Sequence, residues 1–205
     1  MSGYPNLTEA IILWQESLSG ILNHSKPNIQ MEYIYHTTGV AESAYKIAQK
    51  CNLDPQKAYV AGLLHDYGKI QNEKQTGFAH FLYGYEKMTE LGFGFIAKIC
   101  LTHSFPIKDF SFCDYSSYKK EDLIEAKNIL SIIEYDVYDR LIQLSDIFFE
   151  GMNKVTYQER IEGIKKRYNL TDMQIKVLKT GAEMNKAYFD SVCGCNIYNL
   201  LNIKE

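Results

Sequence analysis

The chain has 205 residues, which is enough for one domain with a sizeable hydrophobic core. Hydrophobic residues make up 46% of the chain and charged residues 23%, as in ordinary globular proteins. The net charge is -3, no block of Lys and Arg is present, and no apolar run approaches the ~20 residues that cross a bilayer. The sequence therefore predicts neither a duplex nucleic-acid binder nor a membrane protein. The N-terminus, "MSGYPNLTEA", lacks a basic region followed by an apolar stretch, so we expect no signal peptide and a cytoplasmic location.

The chain contains five cysteines: Cys51, Cys100, Cys113, Cys193 and Cys195. Their odd number and irregular spacing favour neither a disulfide framework nor a four-thiolate zinc site. The segment "CGC" at 193–195 resembles a redox pair only weakly. We therefore expect reduced cysteines, the usual state in a reducing compartment.

The sequence predicts an all-α protein of consecutive helices with short breaks between them. Between residues 37 and 51, apolar residues recur at steps of three and four, which is typical of the buried face of a helix. Three segments have the pattern of a capping box at a helix start: "NLTE" at 6–9, "TYQE" at 156–159 and "TDMQ" at 171–174. No alternating run of strand length is present. The predicted helices span about 6–23, 31–51, 54–67, 78–92, 93–104, 120–133, 136–150, 156–168 and 171–192.

The third predicted helix leads into the segment "GLLHDYGK". Asp54 is a plausible N-cap for it, and Pro55 suits the first helical position. The helix should end near Tyr67, with Gly68 in the left-handed conformation that is common just after a helix. Further along, residues 105–117 mix aromatic and polar types without a period, which predicts a loop that could fold over a site.

Residues with metal-binding chemistry lie near the ends of several predicted helices or on their apolar faces. Asp146 lies in "LIQLSDIFF", where an unpaired carboxylate would be costly without a cation, hydrogen bonds or water beside it. His65 and Asp66 point about 100° apart on a helix, so they can converge only on an ion beyond the helix end or beside its flank. Imidazole and carboxylate suit divalent ions such as iron, manganese or zinc, and helix bundles build such sites from facing helices. The candidate ligands are His36, His65, Asp66, His80, His103 and Asp146.

The order of these residues resembles that of the HD-domain metal-dependent phosphohydrolases. That family's pattern consists of a first histidine, the pair "HD" and a later aspartate in an apolar helix, and this chain has the same order. The family's usual sequence motifs are also close to "GLLHDYGK" and "HTTGVAESA". In the dinuclear branch two more histidines lie between the HD pair and the last aspartate, where this chain has His80 and His103. The resemblance covers about residues 31–150. It implies an HD-domain helical bundle that binds one or two divalent metal ions (Fe, Mn, Co, Ni, Zn or Mg).

The resemblance also implies how the ligands divide. One ion would be held by His36, His65, Asp66 and Asp146, and Asp66 would bridge to a second ion held by His80 and His103. A bridging hydroxide would be the nucleophile in a phosphoryl displacement. One alternative stays open, because mononuclear relatives lack part of the second set: His80 or His103 could instead bind a substrate phosphate.

Cationic residues near the predicted ligands are candidates for the substrate. Lys69, one turn past Asp66, could neutralise a phosphate oxygen as charge builds in the transition state, a role that the family's use of a basic residue there supports. Lys108 and Arg140 are further candidates for substrate binding. Asp139 lies seven residues before Asp146 on the same helix face and is the main alternative to it as a ligand.

The sequence therefore predicts a single HD-type domain over residues 1–205, with a metal-site core at about 31–150 and a C-terminal helical extension at about 156–205. The expected activity is hydrolysis of a phosphate ester or anhydride, with a nucleotide or dinucleotide favoured by the resemblance alone. Two other functions stay open: a di-iron oxygenase of the HD type, and a nucleotide-binding HD module without turnover. The expected partner is a small phosphorylated molecule, and a homodimer is possible.

Overall fold

The computed structural model describes residues 3–72, 76, 78–108, 119–168 and 170–204, with the backbone alone for His24 and Tyr168. In these residues the chain forms α1 (Leu7–His24), α2 (Pro27–Lys50), α3 (Pro55–Leu64), α4 (His80–Glu90), α5 (Gly94–Thr102), α6 (Lys120–Ile132), α7 (Val137–Asp146), α8 (Tyr157–Tyr168), α9 (Asp172–Cys193) and α10 (Ile197–Leu201). A 3-10 turn at Tyr67–Ile70 follows α3, and an antiparallel hairpin of β1 (Phe149–Glu150) and β2 (Asn153–Lys154) follows α7. The all-α prediction is confirmed, and no helix of the described residues is long and apolar enough to span a membrane.

Side-chain caps explain where several helices begin. Asn6 accepts a hydrogen bond from the amide of Glu9, whose carboxylate accepts one from the amide of Asn6. Thr171 and Gln174 form the same reciprocal pair at the start of α9, and Asp54 accepts from two amides at the start of α3. These pairs satisfy amide groups that have no partner inside the helix, so the helix starts could be predicted from the chain.

The structure differs from the predicted elements at several points. Helix α3 ends at Leu64 rather than near Tyr67, and α10 matches none of the predicted helices. Helix α2 begins four residues early, at Pro27, because proline suits the first helical position. Helix α7 ends at Asp146 rather than near 150, and the chain continues into the hairpin, whose turn contains Gly151 with φ of +58°. Gly68 is not in the left-handed conformation but lies buried within the 3-10 turn. The greater part of the predicted 105–117 loop lies outside the described residues.

The packing of the helices brings the ends of α3 and α5 to one region. Helices α2 and α3 lie side by side, and the small residues between them, such as Ala41, Ala44 and Ala61, are fully buried and let the backbones approach closely. The Cys100 thiol of α5 donates to the carbonyl of Leu64 at 3.3 Å, which ties the end of α3 to α5. One hydrophobic core contains buried residues from every part of this arrangement, from α1 to α10.

A disulfide joins Cys51 and Cys193, so the prediction of reduced cysteines is wrong for this pair. Cys51 follows α2 and Cys193 is the last residue of α9. The two residues are 142 apart in sequence, but the C-terminal ends of these helices meet in the fold. Cysteine spacing alone carries no information about that meeting. Cys100 and Cys195 are free thiols, and Cys113 lies outside the described residues.

Replacing Cys193 with Ala should lower the free energy of unfolding by about 2–4 kcal/mol, because the bond constrains the unfolded chain. Denaturant unfolding with and without a reductant would measure this difference. Cys195→Ala, two residues away at a free and partly exposed thiol, is the matched control and should change stability little. A wild-type midpoint that does not respond to the reductant would contradict the prediction.

Candidate metal centre

Six side chains converge from five helices in the region where α3 and α5 end. His36 lies in α2 and His80 begins α4, whereas His65 and His103 are the C-caps of α3 and α5. Asp66 follows His65 with φ of -101° and ψ of 17°, outside the helix. The HD pair therefore lies at the helix end, as adjacent helical residues require if both are to face one ion.

The two oxygens of the Asp66 carboxylate face different pairs of histidines. Its Oδ2 lies 3.4 Å from His36 Nε2 and 3.5 Å from His65 Nε2. Its Oδ1 lies 3.5 Å from His80 Nε2 and 3.4 Å from His103 Nε2. Within the pairs, the Nε2 atoms are 3.1 Å apart for His36 and His65 and 3.3 Å apart for His80 and His103. Asp66 is thus shared between two three-residue groups, each of which could hold a metal ion.

The distances within these groups fit a divalent ion. Ligand atoms bound at about 2.1 Å lie about 3.0 to 3.4 Å from one another in octahedral or tetrahedral coordination. The separations around Asp66 fall close to that range. Asp146, the last residue of α7, adds a carboxylate oxygen 3.0 Å from His36 Nε2 and 3.8 Å from His65 Nε2. The donor set of imidazoles and carboxylates is one that suits iron, manganese and zinc.

Backbone carbonyls orient two of the histidine rings. His65 Nδ1 lies 2.7 Å from the carbonyl oxygen of Gly62, and His103 Nδ1 lies 3.2 Å from that of Ile99. A carbonyl only accepts hydrogen bonds, so in each ring Nδ1 carries the proton. The lone pair is then on Nε2, which faces Asp66. This is the outer hydrogen bonding that metal-binding histidines usually have.

The charges at the centre are those that metal ligands need. Burial alone would raise the pKa of Asp66, but the ammonium of Lys69, 2.5 Å from Oδ2, and the neighbouring histidines hold the pKa well below its ordinary value. Burial likewise opposes ionisation of Asp146, but its hydrogen bond to His36 lowers the pKa of this carboxyl. Burial lowers the pKa of His65 to about 4. At neutral pH the carboxylates are therefore charged and His65 is neutral, which are the forms that bind metal.

His36 has the opposite shift. Burial would lower its pKa, but hydrogen bonds to Asp146 and Asp66 outweigh that effect and raise the pKa above its ordinary value. The carboxylates thus compensate a positive charge at this position. A divalent ion placed there would meet the same two carboxylates, so His36 would bind it in the neutral form.

Five of the six side chains line a cavity of about 1190 Å³ that also contains cationic side chains. The sixth, His65, is fully buried behind it. Lys69, one of the three cations selected from the sequence, is on the cavity wall. The structure gives the other two predicted cations different contacts: Lys108 donates to the carbonyl of Ile133, and Arg140 lies over the ring of Tyr188. Neither is among the described residues that line the cavity. Three cations that the sequence reasoning did not select line it instead, namely Lys26, Arg160 and Arg167.

Asp139, the alternative to Asp146, is occupied elsewhere. It is fully buried and accepts hydrogen bonds from Lys98 Nζ at 2.8 Å and from Thr102 Oγ1 at 2.7 Å. It also pairs with the amide of Asp136 in the capping box of α7. Its contacts therefore hold α7 against α5, whereas Asp146 at the other end of α7 lies beside the histidines.

The protein is thus a helical domain with a candidate metal centre that is built from histidine and aspartate side chains and shares the carboxylate of Asp66. A family model described as HD domain matches residues 33–148, more than half of the chain, so the chain belongs to the HD-domain family. This family consists largely of metal-dependent hydrolases. The matched segment contains all six candidate ligands. No curated protein and no solved structure matches the chain.

Proposed function

We propose that this protein is a phosphohydrolase that cleaves a phosphate ester or anhydride with the help of divalent metal ions. The observation that carries the proposal is the division of the Asp66 oxygens between two histidine pairs at a cavity that also contains cations. A carboxylate placed in this way suits two neighbouring ions, and such pairs of ions are typical of enzymes that displace a phosphoryl group. The favoured substrate is a nucleotide or dinucleotide.

In this proposal the residues of the chain divide the work. His36, His65, Asp66 and Asp146 would hold one ion, and Asp66, His80 and His103 a second. Bound ions of this kind act as Lewis acids toward a phosphoryl oxygen and lower the pKa of water. Asp66 supplies the negative charge between the two sites because its pKa is low. The fixed rings of His65 and His103 keep their Nε2 atoms directed at it.

Lys69 has the position of a residue that binds the reacting phosphate. Its ammonium lies 2.5 Å from Asp66 Oδ2, and its side chain is 41% exposed on the cavity wall. An ammonium there can neutralise an oxygen of the phosphoryl group as negative charge develops, without moving far from Asp66. We therefore assign Lys69 the role of stabilising the transition state rather than that of binding the metal.

Metal analysis of the purified protein followed by a substrate screen tests the proposal. The panel contains mononucleotides, nucleoside di- and triphosphates, dinucleotides and simple phosphate esters, each with Mn²⁺, Co²⁺ or Fe²⁺. We expect release of phosphate or nucleotide, its loss after treatment with a chelator, and its recovery when the metal is restored. Turnover that is unaffected by the chelator would contradict the proposal.

The six-ligand set also fits a di-iron oxygenase, so oxygen uptake is measured on the iron-loaded protein alongside the screen. Oxygen consumption without hydrolysis of any phosphate compound would favour the oxygenase. Sub-micromolar nucleotide binding with no product after prolonged incubation would favour a binding module. Hydrolysis with Mn²⁺ or Co²⁺ and no oxygen uptake would exclude both.

A further inference from the structure

A buried pair of side-chain amides lies beside the turn that contains the candidate ligand His103. Gln143 of α7 and Asn185 of α9 are both buried. Gln143 precedes Asp146 by three residues, so the two side chains lie on the same face of α7. Asn185 lies outside residues 33–148, the segment that the HD-domain model matches. Burying an amide is costly unless its polar atoms are paired, so the partners of these two amides indicate what the pair does.

The amide nitrogen of Gln143 donates to backbone carbonyls on both sides of His103. Gln143 Nε2 lies 2.9 Å from the carbonyl oxygen of Thr102 and 3.3 Å from that of Phe105. Carbonyl oxygens only accept hydrogen bonds, so the nitrogen of the amide, and not its oxygen, faces them. One side chain of α7 therefore holds both the residue before His103 and the residue two positions after it.

Asn185 completes the pairing of Gln143. Because Nε2 of Gln143 is directed at two carbonyls, its Oε1 faces α9, where it accepts a hydrogen bond from Asn185 Nδ2 at 3.1 Å. One turn earlier on α9, a Cβ on Gly181 would lie 2.7 Å from the Cβ of Pro106. Helix α9 thus approaches the segment after His103 directly at Pro106 and indirectly through Gln143.

The two carbonyls do not depend on Gln143 for a hydrogen-bond partner. The carbonyl of Thr102 also accepts from the amide of Phe105 at 3.0 Å, and the carbonyl of Phe105 also accepts from the Tyr135 hydroxyl at 2.6 Å. An apolar side chain at position 143 would therefore leave both carbonyls paired, and it would avoid the burial of an amide. What the amide adds is a fixed geometry, because a fully paired buried network specifies one arrangement of the segments that it joins.

The position of His103 depends on that arrangement. His103 is the C-cap of α5, so helix supports it on one side only and the turn supports it on the other. Its Nδ1 lies 3.2 Å from the carbonyl oxygen of Ile99, and its Nε2 lies 3.4 Å from Asp66 Oδ1. Metal–ligand distances vary by only about 0.2 Å, so a small displacement of the turn would weaken a bond from Nε2 to an ion.

We propose that Gln143 and Asn185 are positioning residues for His103 as a metal ligand. Gln143 fixes the backbone on both sides of the ligand, and Asn185 holds the amide of Gln143 in the orientation that this requires. Helix α9 is then part of the support of the metal centre, although it lies outside the matched HD-domain segment. This inference rests on the proposed function, because it takes His80 and His103 to hold the second ion.

The test measures the affinity of the chelator-treated protein for Co²⁺ by calorimetry. His80→Ala removes a ligand and so identifies the binding step of the ion held with His103. Gln143→Met keeps nearly the same length but has no donor, and we expect it to weaken that step by about 10- to 100-fold, as loss of an outer partner of a metal ligand does. Asn185→Leu should weaken the same step by a smaller factor. In both variants the step that belongs to His36 should change by less than about threefold.

The double variant Gln143→Met/Asn185→Leu separates positioning from stability. Two apolar side chains replace two paired amides, so the midpoint of denaturant unfolding should lie near that of the wild type. The affinity for the ion held with His103 should stay as low as in Gln143→Met alone, because Asn185 acts through Gln143. The double variant also covers the case in which a single variant does not fold. Val177→Ala, at a buried apolar residue of α9, is the control, and it should lower the midpoint and keep the affinity for both ions.

The outcomes separate this inference from the function on which it rests. A double variant that binds both ions as tightly as the wild type would overturn the inference, and so would equal weakening of both binding steps in Gln143→Met. If the wild type binds two ions but hydrolyses no phosphate compound, the proposed function fails, and the variants still decide the inference. If the wild type hydrolyses phosphate compounds with one ion at the His36 group, the function stands and the inference is wrong, because His103 then holds no ion.

Discussion

Replacing Asp66 with Asn should remove the bound metal and with it the hydrolytic activity. Asn has nearly the same shape, but it removes the negative charge between the two histidine pairs, while the ammonium of Lys69 stays close to the site. Loss of an outer partner of a metal ligand costs about 10- to 100-fold in affinity or activity. Loss of a carboxylate that contacts four imidazoles should reduce metal affinity and activity further. We therefore expect a decrease of at least about 1000-fold in kcat/KM.

The measurement is metal content per chain after dialysis, together with the rate on the best substrate of the screen. Asp139→Asn is the matched control because it makes the same change at an equally buried carboxylate that pairs with Lys98 and Thr102. It should lower stability and keep the wild-type metal content. If Asp66→Asn keeps both metal and activity, the assignment of the centre is wrong.

The sequence predicted those features that depend on neighbours along the chain. Capping residues such as Asn6, Asp54 and Thr171 satisfy amides only two or three positions away, so the starts of α1, α3 and α9 could be predicted. The candidate ligands could also be predicted, because the sequence motifs around His36 and His65 resemble those of a known family. The resemblance also implied that Asp66 is shared between the two ligand sets, whereas the distances from each of its oxygens to the four histidines depend on how the helices pack.

The features that the sequence did not predict depend on contacts between distant segments or on very short elements. The hairpin has two residues in each strand, too few for a period of two to be visible. The disulfide depends on where the ends of α2 and α9 meet. Arg160 and Arg167 lie outside the segment that resembles the family. Their spacing of seven residues places them on one helix face, so the sequence could have indicated that they lie together.

Replacing Gly68 with Ala should destabilise the protein by about 3 kcal/mol and displace His80. A Cβ at this position would lie 1.8 Å from the carbonyl oxygen of His80 and 2.9 Å from the amide nitrogen of Gly84. Both are backbone atoms of α4, so the clash cannot be relieved by turning a side chain. Helix α4 cannot retreat freely either, because Gly84 packs against Cys100, with the sulfur 3.1 Å from where a Cβ would be.

The movement of α4 should affect the two metal groups unequally. His80 belongs to the group on Asp66 Oδ1, whereas His36 and His65 belong to the group on Oδ2 and do not lie on α4. We expect Gly68→Ala to lose the ion held with His80 and His103 and to keep the other more nearly intact. Denaturant unfolding of the chelator-treated protein and metal content per chain measure the two effects. Gly94→Ala is the control, because a Cβ there meets nothing within 4 Å and the glycine begins a helix.

A comparison of Ala with Asn at position 68 tests why the glycine is there. If Gly68 served as a left-handed helix cap, Asn would be tolerated better than Ala, since Asn adopts that conformation more readily. In the structure the glycine is required by the approach of the His80 backbone, where a larger side chain clashes more. We therefore expect Gly68→Asn to be less stable than Gly68→Ala and to retain less metal. The opposite order would mean that the conformation of Gly68, and not its contact with His80, links the HD pair to the second histidine group.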